Sequence, residues 1–144
     1  MNTCNTEYRN VYVQNDAEPV FCYRTGLTVY EESFTDGALM ARGWNCAGYP
    51  LNVLQNYTSR LHPAHFAEPQ AFKLDIDGEY CNMGLEYIGF SSSDEDGHTH
   101  AVVTLKCSDK KIIIKVHTLL DGSPVFSRWL EIANEGEHDA AVSS

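Results

Sequence analysis

From residue 72 onward the chain alternates between apolar and polar side chains. Phe72, Leu74 and Ile76 interleave with Lys73, Asp75 and Asp77, a period of two that predicts a strand with one buried face. Asp77-Gly78 follows at once and predicts a hairpin turn. Residues 80–90 carry Leu85, Tyr87, Ile88 and Phe90 and predict another strand, whereas residues 91–97 (Ser-Ser-Ser-Asp-Glu-Asp-Gly) predict a polar loop. Three apolar runs come next, at 100–107, 112–120 and 125–133, joined by residues 108–111 and 121–124. Both joints are short and rich in turn formers. Connections this short favour antiparallel neighbours, because a parallel crossover takes about a dozen residues or more. Asn134-Glu135-Gly136 is a further turn, and Ala140-Ala141-Val142 opens a last strand. Residues 69–143 therefore predict a meander of five or six strands.

The first half is less regular. Residues 8–13 and 20–30 each predict a strand, with β-branched and aromatic positions. Between residues 31 and 68, Gly37, Gly43, Gly48, Pro50 and Pro63 interrupt the pattern. Long loops with one or two short strands are expected there, and long irregular segments are often functional. The window closest to an amphipathic helix, residues 51–61, is broken and has Pro on both sides. No internal repeat or linker divides the chain. The expectation is one all-β domain over residues 1–144, an antiparallel β-sandwich or a related barrel.

Composition adds constraints. At 144 residues with 43% hydrophobic positions, the chain can build a core without disulfides or metal. Ten basic residues stand against twenty acidic ones, for a net charge of −10. Polyanionic nucleic acid and anionic membrane surfaces are thus poor partners, and a neutral ligand or another protein fits better. No apolar run approaches the ~20 residues that span a bilayer, and residues 1–5 carry neither a basic nor an apolar leader region. The five cysteines, Cys4, Cys22, Cys46, Cys81 and Cys107, are odd in number and contain no C-x-x-C pair. Scattered free thiols suit a reducing, cytoplasmic setting.

Few constellations suggest chemistry. His98-x-His100 follows Asp94-Glu95-Asp96-Gly97, yet no third ligand at a fixed spacing supports a metal. His62-Pro63-Ala64-His65 spaces two imidazoles as a helical metal pair would, but its proline opposes a helix. Asp75-x-Asp77-Gly78-Glu79 lacks the spacing of a calcium loop. No G-x-S-x-G elbow and no glycine-rich phosphate loop is present. Catalytic residues, metal and cofactor are therefore all expected to be absent. The remaining feature is Arg42-Gly43-Trp44-Asn45-Cys46-Ala47-Gly48-Tyr49. A Trp and a Tyr in a glycine-rich loop, with Arg and Asn close by, can stack on a sugar ring and bond its hydroxyls. The plainer alternative is that Trp44 plugs one end of the core, since Trp is usually well buried.

Residues 116–136, Val-His-Thr-Leu-Leu-Asp-Gly-Ser-Pro-Val-Phe-Ser-Arg-Trp-Leu-Glu-Ile-Ala-Asn-Glu-Gly, carry a family likeness. They resemble the N-terminal β-domain of α-galactosidase-like glycosidases (glycoside hydrolase family thirty-six and its relatives). Ala140-Ala141-Val142-Ser143-Ser144 stands where that domain has its next strand, and His62-Pro63, residues 69–72 and Ile76-Asp77-Gly78 are similar too. The resemblance covers residues 60–144 and its motifs are structural. It implies a galactose mutarotase-like supersandwich that precedes a (β/α)8 barrel holding both catalytic aspartates. No residue of this chain matches a catalytic position, and a barrel of about 250 residues has no room here. The resemblance thus implies a fragment, an isolated domain or a truncated gene product.

Three functional expectations result. The first is a non-catalytic accessory domain that packs against a catalytic barrel, joins subunit contacts in a homo-oligomer and borders a sugar site. The second is a free-standing carbohydrate-binding module on Trp44 and Tyr49, with Arg42, Asn45 and His65 as further sugar contacts. The third is a small mutarotase-like epimerase, for which His117 and Glu131 on facing strands are the only pair to consider.

Overall fold

The structure is a computed structural model that describes residues 9–14, 18–49, 70–81 and 83–143. Eleven strands follow one another: β1 (Arg9–Gln14), β2 (Val20–Thr25), β3 (Thr28–Thr35), β4 (Ala38–Asn45), β5 (Asp75–Ile76), β6 (Glu79–Tyr80), β7 (Glu86–Glu95), β8 (His98–Cys107), β9 (Ile112–Leu120), β10 (Phe126–Asn134) and β11 (Val142–Ser143). A single 3-10 turn, Ser108–Lys110, joins β8 to β9. The protein is all-β and antiparallel. One sheet has the order β1-β2-β3-β4, a second β10-β9-β8-β7, and a small third β11-β5-β6.

The two large sheets bury their facing sides against each other. β8 and β9 show why, since every second residue is apolar or small and withdrawn from water: Ala101, Val103, Leu105 and Cys107, then Ile112, Ile114, Val116 and Leu120. The first sheet answers with Phe21, Tyr23 and Leu39. Phe21 packs at a tilt against Tyr87 and Phe90 of β7, with ring centroids 5.7 and 5.6 Å away. Leu74, just before β5, and Ile76 within it close the core from that side.

Turn chemistry sets the register. Asp36-Gly37, Asp77-Gly78 and Asp96-Gly97 all have both residues at positive φ, the two-residue hairpin turn whose twist matches the strands. Gly37 cannot be replaced freely, because a Cβ there would lie 3.1 Å from the backbone nitrogen of Gly84.

Several expectations are corrected. Residues 20–30 form two strands, because Gly26-Leu27 turns the chain between β2 and β3. Residues 31–45 are mostly strand, since Glu31, Ser33 and Thr35 pair through their backbone with β4. The serine-rich stretch 91–95 is likewise strand, carried by backbone pairing to β8 up to the Asp96-Gly97 turn. Phe72, Leu74 and Ile76 do face inward, yet only Asp75–Ile76 pairs as a strand. The meander consists of β7 to β10, while β5, β6 and β11 leave it for the third sheet. The broken window at 51–61 lies outside the described residues, as do His62 and His65.

Burial also governs the thiols. Cys22 and Cys81 are each pushed up from 9.0 to about 12, first by burial, then by the charge of Glu31 on Cys22 and by contact with Cys107 on Cys81. A thiol raised on folding contributes stability that is complete below its unfolded value of 9.0 and is lost as pH climbs towards about 12. The urea midpoint is therefore expected to be lower at about pH 10.5 than at about pH 8; equal midpoints would contradict this. Cys46 is exposed, so a brief pulse of iodoacetamide should label it ahead of Cys22, Cys81 and Cys107, as read by peptide mass spectrometry.

Candidate functional site

Trp44 reaches the surface through a bulge. The β3–β4 register runs from Glu32 opposite Ala41 to Glu31 opposite Gly43, which leaves Arg42 as an extra residue. An inserted residue reverses the side on which later side chains stand. Trp44 thus falls opposite Tyr30, and Asn45 opposite Val29. β4 is the last strand of its sheet among the described residues, with only Gln70 bridged beyond it at Met40, and the Trp44 ring is 68% exposed. It does not plug the core.

The turn after β4 is stiff. Asn45 accepts from the Ala47 amide at 2.9 Å and donates to the Tyr49 carbonyl at 2.8 Å. The Gly48 amide donates to the Leu27 carbonyl at 2.9 Å, joining this turn to the β2–β3 turn. Thr25 donates its hydroxyl to the Ser123 carbonyl and accepts from the Gly122 amide, and Thr28 donates to the Pro124 carbonyl. Three connections therefore meet at one end of the sandwich, where Leu27, Trp44, Tyr49 and Val125 are all exposed. Of the expected sugar contacts, Trp44 and Tyr49 share this end. Both polar ends of the Asn45 amide are already spent on the turn. Arg42 sits close enough to Cys22 to favour its thiolate, and its Nε is buried without a hydrogen-bond partner.

The outer face of the second sheet carries another cluster. His117 lies opposite Trp129, and His100 stands diagonally across on β8. The Trp129 and His117 rings stack at 4.9 Å and 4°, and His100 stacks on both. His117 Nε2 is 2.7 Å from Glu131 Oε2, and His117 Nδ1 is 2.8 Å from His100 Nε2. A carboxylate without a proton only accepts, so His117 donates through Nε2, and a neutral His117 then accepts at Nδ1 from His100. Alternation along β8 to β10 puts these four side chains on one face. The sequence pairs His117 with Glu131 but does not reveal His100 and Trp129, because diagonal neighbours depend on register. The group does not line the cavities bordered by Asp109 and Asn134, by Tyr12 and Cys22, or by Ala38 and Met40. No set of three or more His, Cys, Asp or Glu able to hold a metal occurs among the described residues.

Beneath the Trp44 end, between the sheets, lies a buried ion pair. Arg128 of β10 reaches Glu32 of β3 and also donates to Thr118 at 3.1 Å and to the Tyr30 hydroxyl at 3.3 Å. Tyr23 donates to Glu32 at 2.9 Å. Burial acts to lower the Arg128 guanidinium, and the Glu32 carboxylate more than reverses this, leaving it raised.

No family model matches the chain, and neither a curated protein nor a solved structure matches it.

Proposed function

We propose that this chain is a non-catalytic β-sandwich module that contacts carbohydrate through the end built from Trp44 and Tyr49. One observation carries the reading: a Trp ring left 68% exposed beside a turn fixed by the Asn45 side chain. Exposing an indole forgoes about 1.5–3 kcal/mol of burial, and a stiff loop spares a ligand the cost of ordering it. A flat ring offered this way suits the apolar face of a sugar. The resemblance in residues 60–144 favours an α-galactosidase-like parent. Leu27 and Val125, exposed beside the platform, would then lie against its barrel domain.

Titration with galactose and α-galactosides tests the reading, followed by fluorescence in a Trp129→Phe background so that Trp44 alone reports. A saturable change is expected, and Trp44→Ala, followed by calorimetry, should abolish binding. Absence of binding by the unaltered chain would overturn the sugar platform. Hydrolysis of an α-galactoside by the chain alone would overturn its non-catalytic character.

A further inference from the structure

We propose that His100 and His117 form a two-imidazole site for a divalent transition metal ion, Cu(II) above Zn(II), on the outer face of the β7–β10 sheet. The site is separate from the Trp44 end and does not depend on the sugar reading. The distance between donor nitrogens carries the proposal. Two nitrogens bound cis to one ion at about 2.0–2.1 Å each lie about 2.9 Å apart. His100 Nε2 and His117 Nδ1 are already 2.8 Å apart. The metal would take the place of the hydrogen bond between them, the bridging proton moving to His100 Nδ1 and both rings turning until their lone pairs meet at the ion.

Proton bookkeeping favours this arrangement. His117 keeps its proton on Nε2, held by Glu131 at 2.7 Å, so its Nδ1 lone pair, which faces His100 in the structure, can turn to a metal. His100 need only carry its proton on Nδ1 to expose Nε2. No proton must leave the cluster. Glu131 then serves as the carboxylate behind a metal-bound histidine, which orients the ring and raises its basicity. The Trp129 ring, parallel to His117 within 4°, holds the imidazole upright before any ion arrives. Two protein nitrogens leave the other positions to water, and imidazole ligands suit Cu(II), Ni(II) and Zn(II), with Cu(II) bound most strongly. The net charge of −10 raises the local concentration of cations.

The test is titration of the full chain in a Cys46→Ser background with Cu(II), then Zn(II), in a non-coordinating buffer. Calorimetry reports affinity and electron paramagnetic resonance reports nitrogen ligation of Cu(II). One ion per chain is expected, with two nitrogens in its shell. His100→Ala and His117→Ala should each weaken binding by at least about 10-fold, and Glu131→Gln by about 10–100-fold. The variants His100→Gln and His117→Gln retain size and polarity, and a far-UV spectrum matching the unaltered chain shows that they fold. His98→Ala and His138→Ala should bind as the unaltered chain does. Equal affinity in the unaltered chain, His100→Gln and His117→Gln would overturn the site, as would a Cu(II) signal without nitrogen coupling. Unchanged affinity in Glu131→Gln would remove the carboxylate from it.

Discussion

Replacing Glu32 with alanine is expected to cost about 3–5 kcal/mol of stability, as is replacing Arg128, because either change strands the other charge. Glu32 is fully buried and accepts from Tyr23, Tyr30 and Arg128. The Arg128 guanidinium also lies over the Tyr23 and Tyr30 rings, 5.4 and 5.1 Å from their centres. Removing the carboxylate leaves a cation and two tyrosine hydroxyls without their acceptor. The double change Glu32→Leu with Arg128→Met removes both charges and should recover most of the loss, since an apolar replacement of a buried pair is often neutral. Recovery will be incomplete, because the Tyr23 hydroxyl still needs a partner. A double-mutant cycle from urea unfolding decides this. If the single losses simply add in the double variant, the two side chains are not coupled.

The next largest loss is expected for Phe21→Ala, about 3–5 kcal/mol. Phe21 is fully buried and belongs to β2, yet both its ring partners, Tyr87 and Phe90, lie on β7 of the facing sheet. Truncation removes contacts that hold the two sheets together and leaves a cavity that rigid strands cannot close. The urea midpoint measures the effect, with Val13→Ala as the control because Val13 is 39% exposed. A Phe21→Ala loss no larger than that control would show that the sheets are not joined there.

How much of this is legible in the chain depends on where each strand finds its support. β8 and β9 read clearly because the buried phase is apolar while the outward phase holds His100, Thr104, Lys115 and His117. Ser91, Ser92 and Ser93 read as loop because their side chains pack against nothing; their strand is a matter of backbone bonds to β8. Glu31, Glu32 and Ser33 mislead for the opposite reason. They are polar yet buried, and Glu32 is balanced by a cation, Arg128, that lies 96 residues away on β10. Trp44 shows the same limit. Its residue type singles it out, but its exposure follows from the extra residue at Arg42, which only the pairing of β3 with β4 discloses. Asp36-Gly37 and Asp96-Gly97, by contrast, have the same hairpin chemistry as Asp77-Gly78 and are readable from the dipeptide alone.

Arg128 has one more consequence, for solubility. β10 is the outermost strand of its sheet, and an open strand edge invites pairing with another molecule. An inward-pointing charge on such a strand resists this, because a copy that extended the sheet across β10 would shut off the part of the Arg128 side chain that still reaches water. The same arginine that ties the sheets together therefore guards this edge, and a variant made apolar at this position is expected to aggregate more readily.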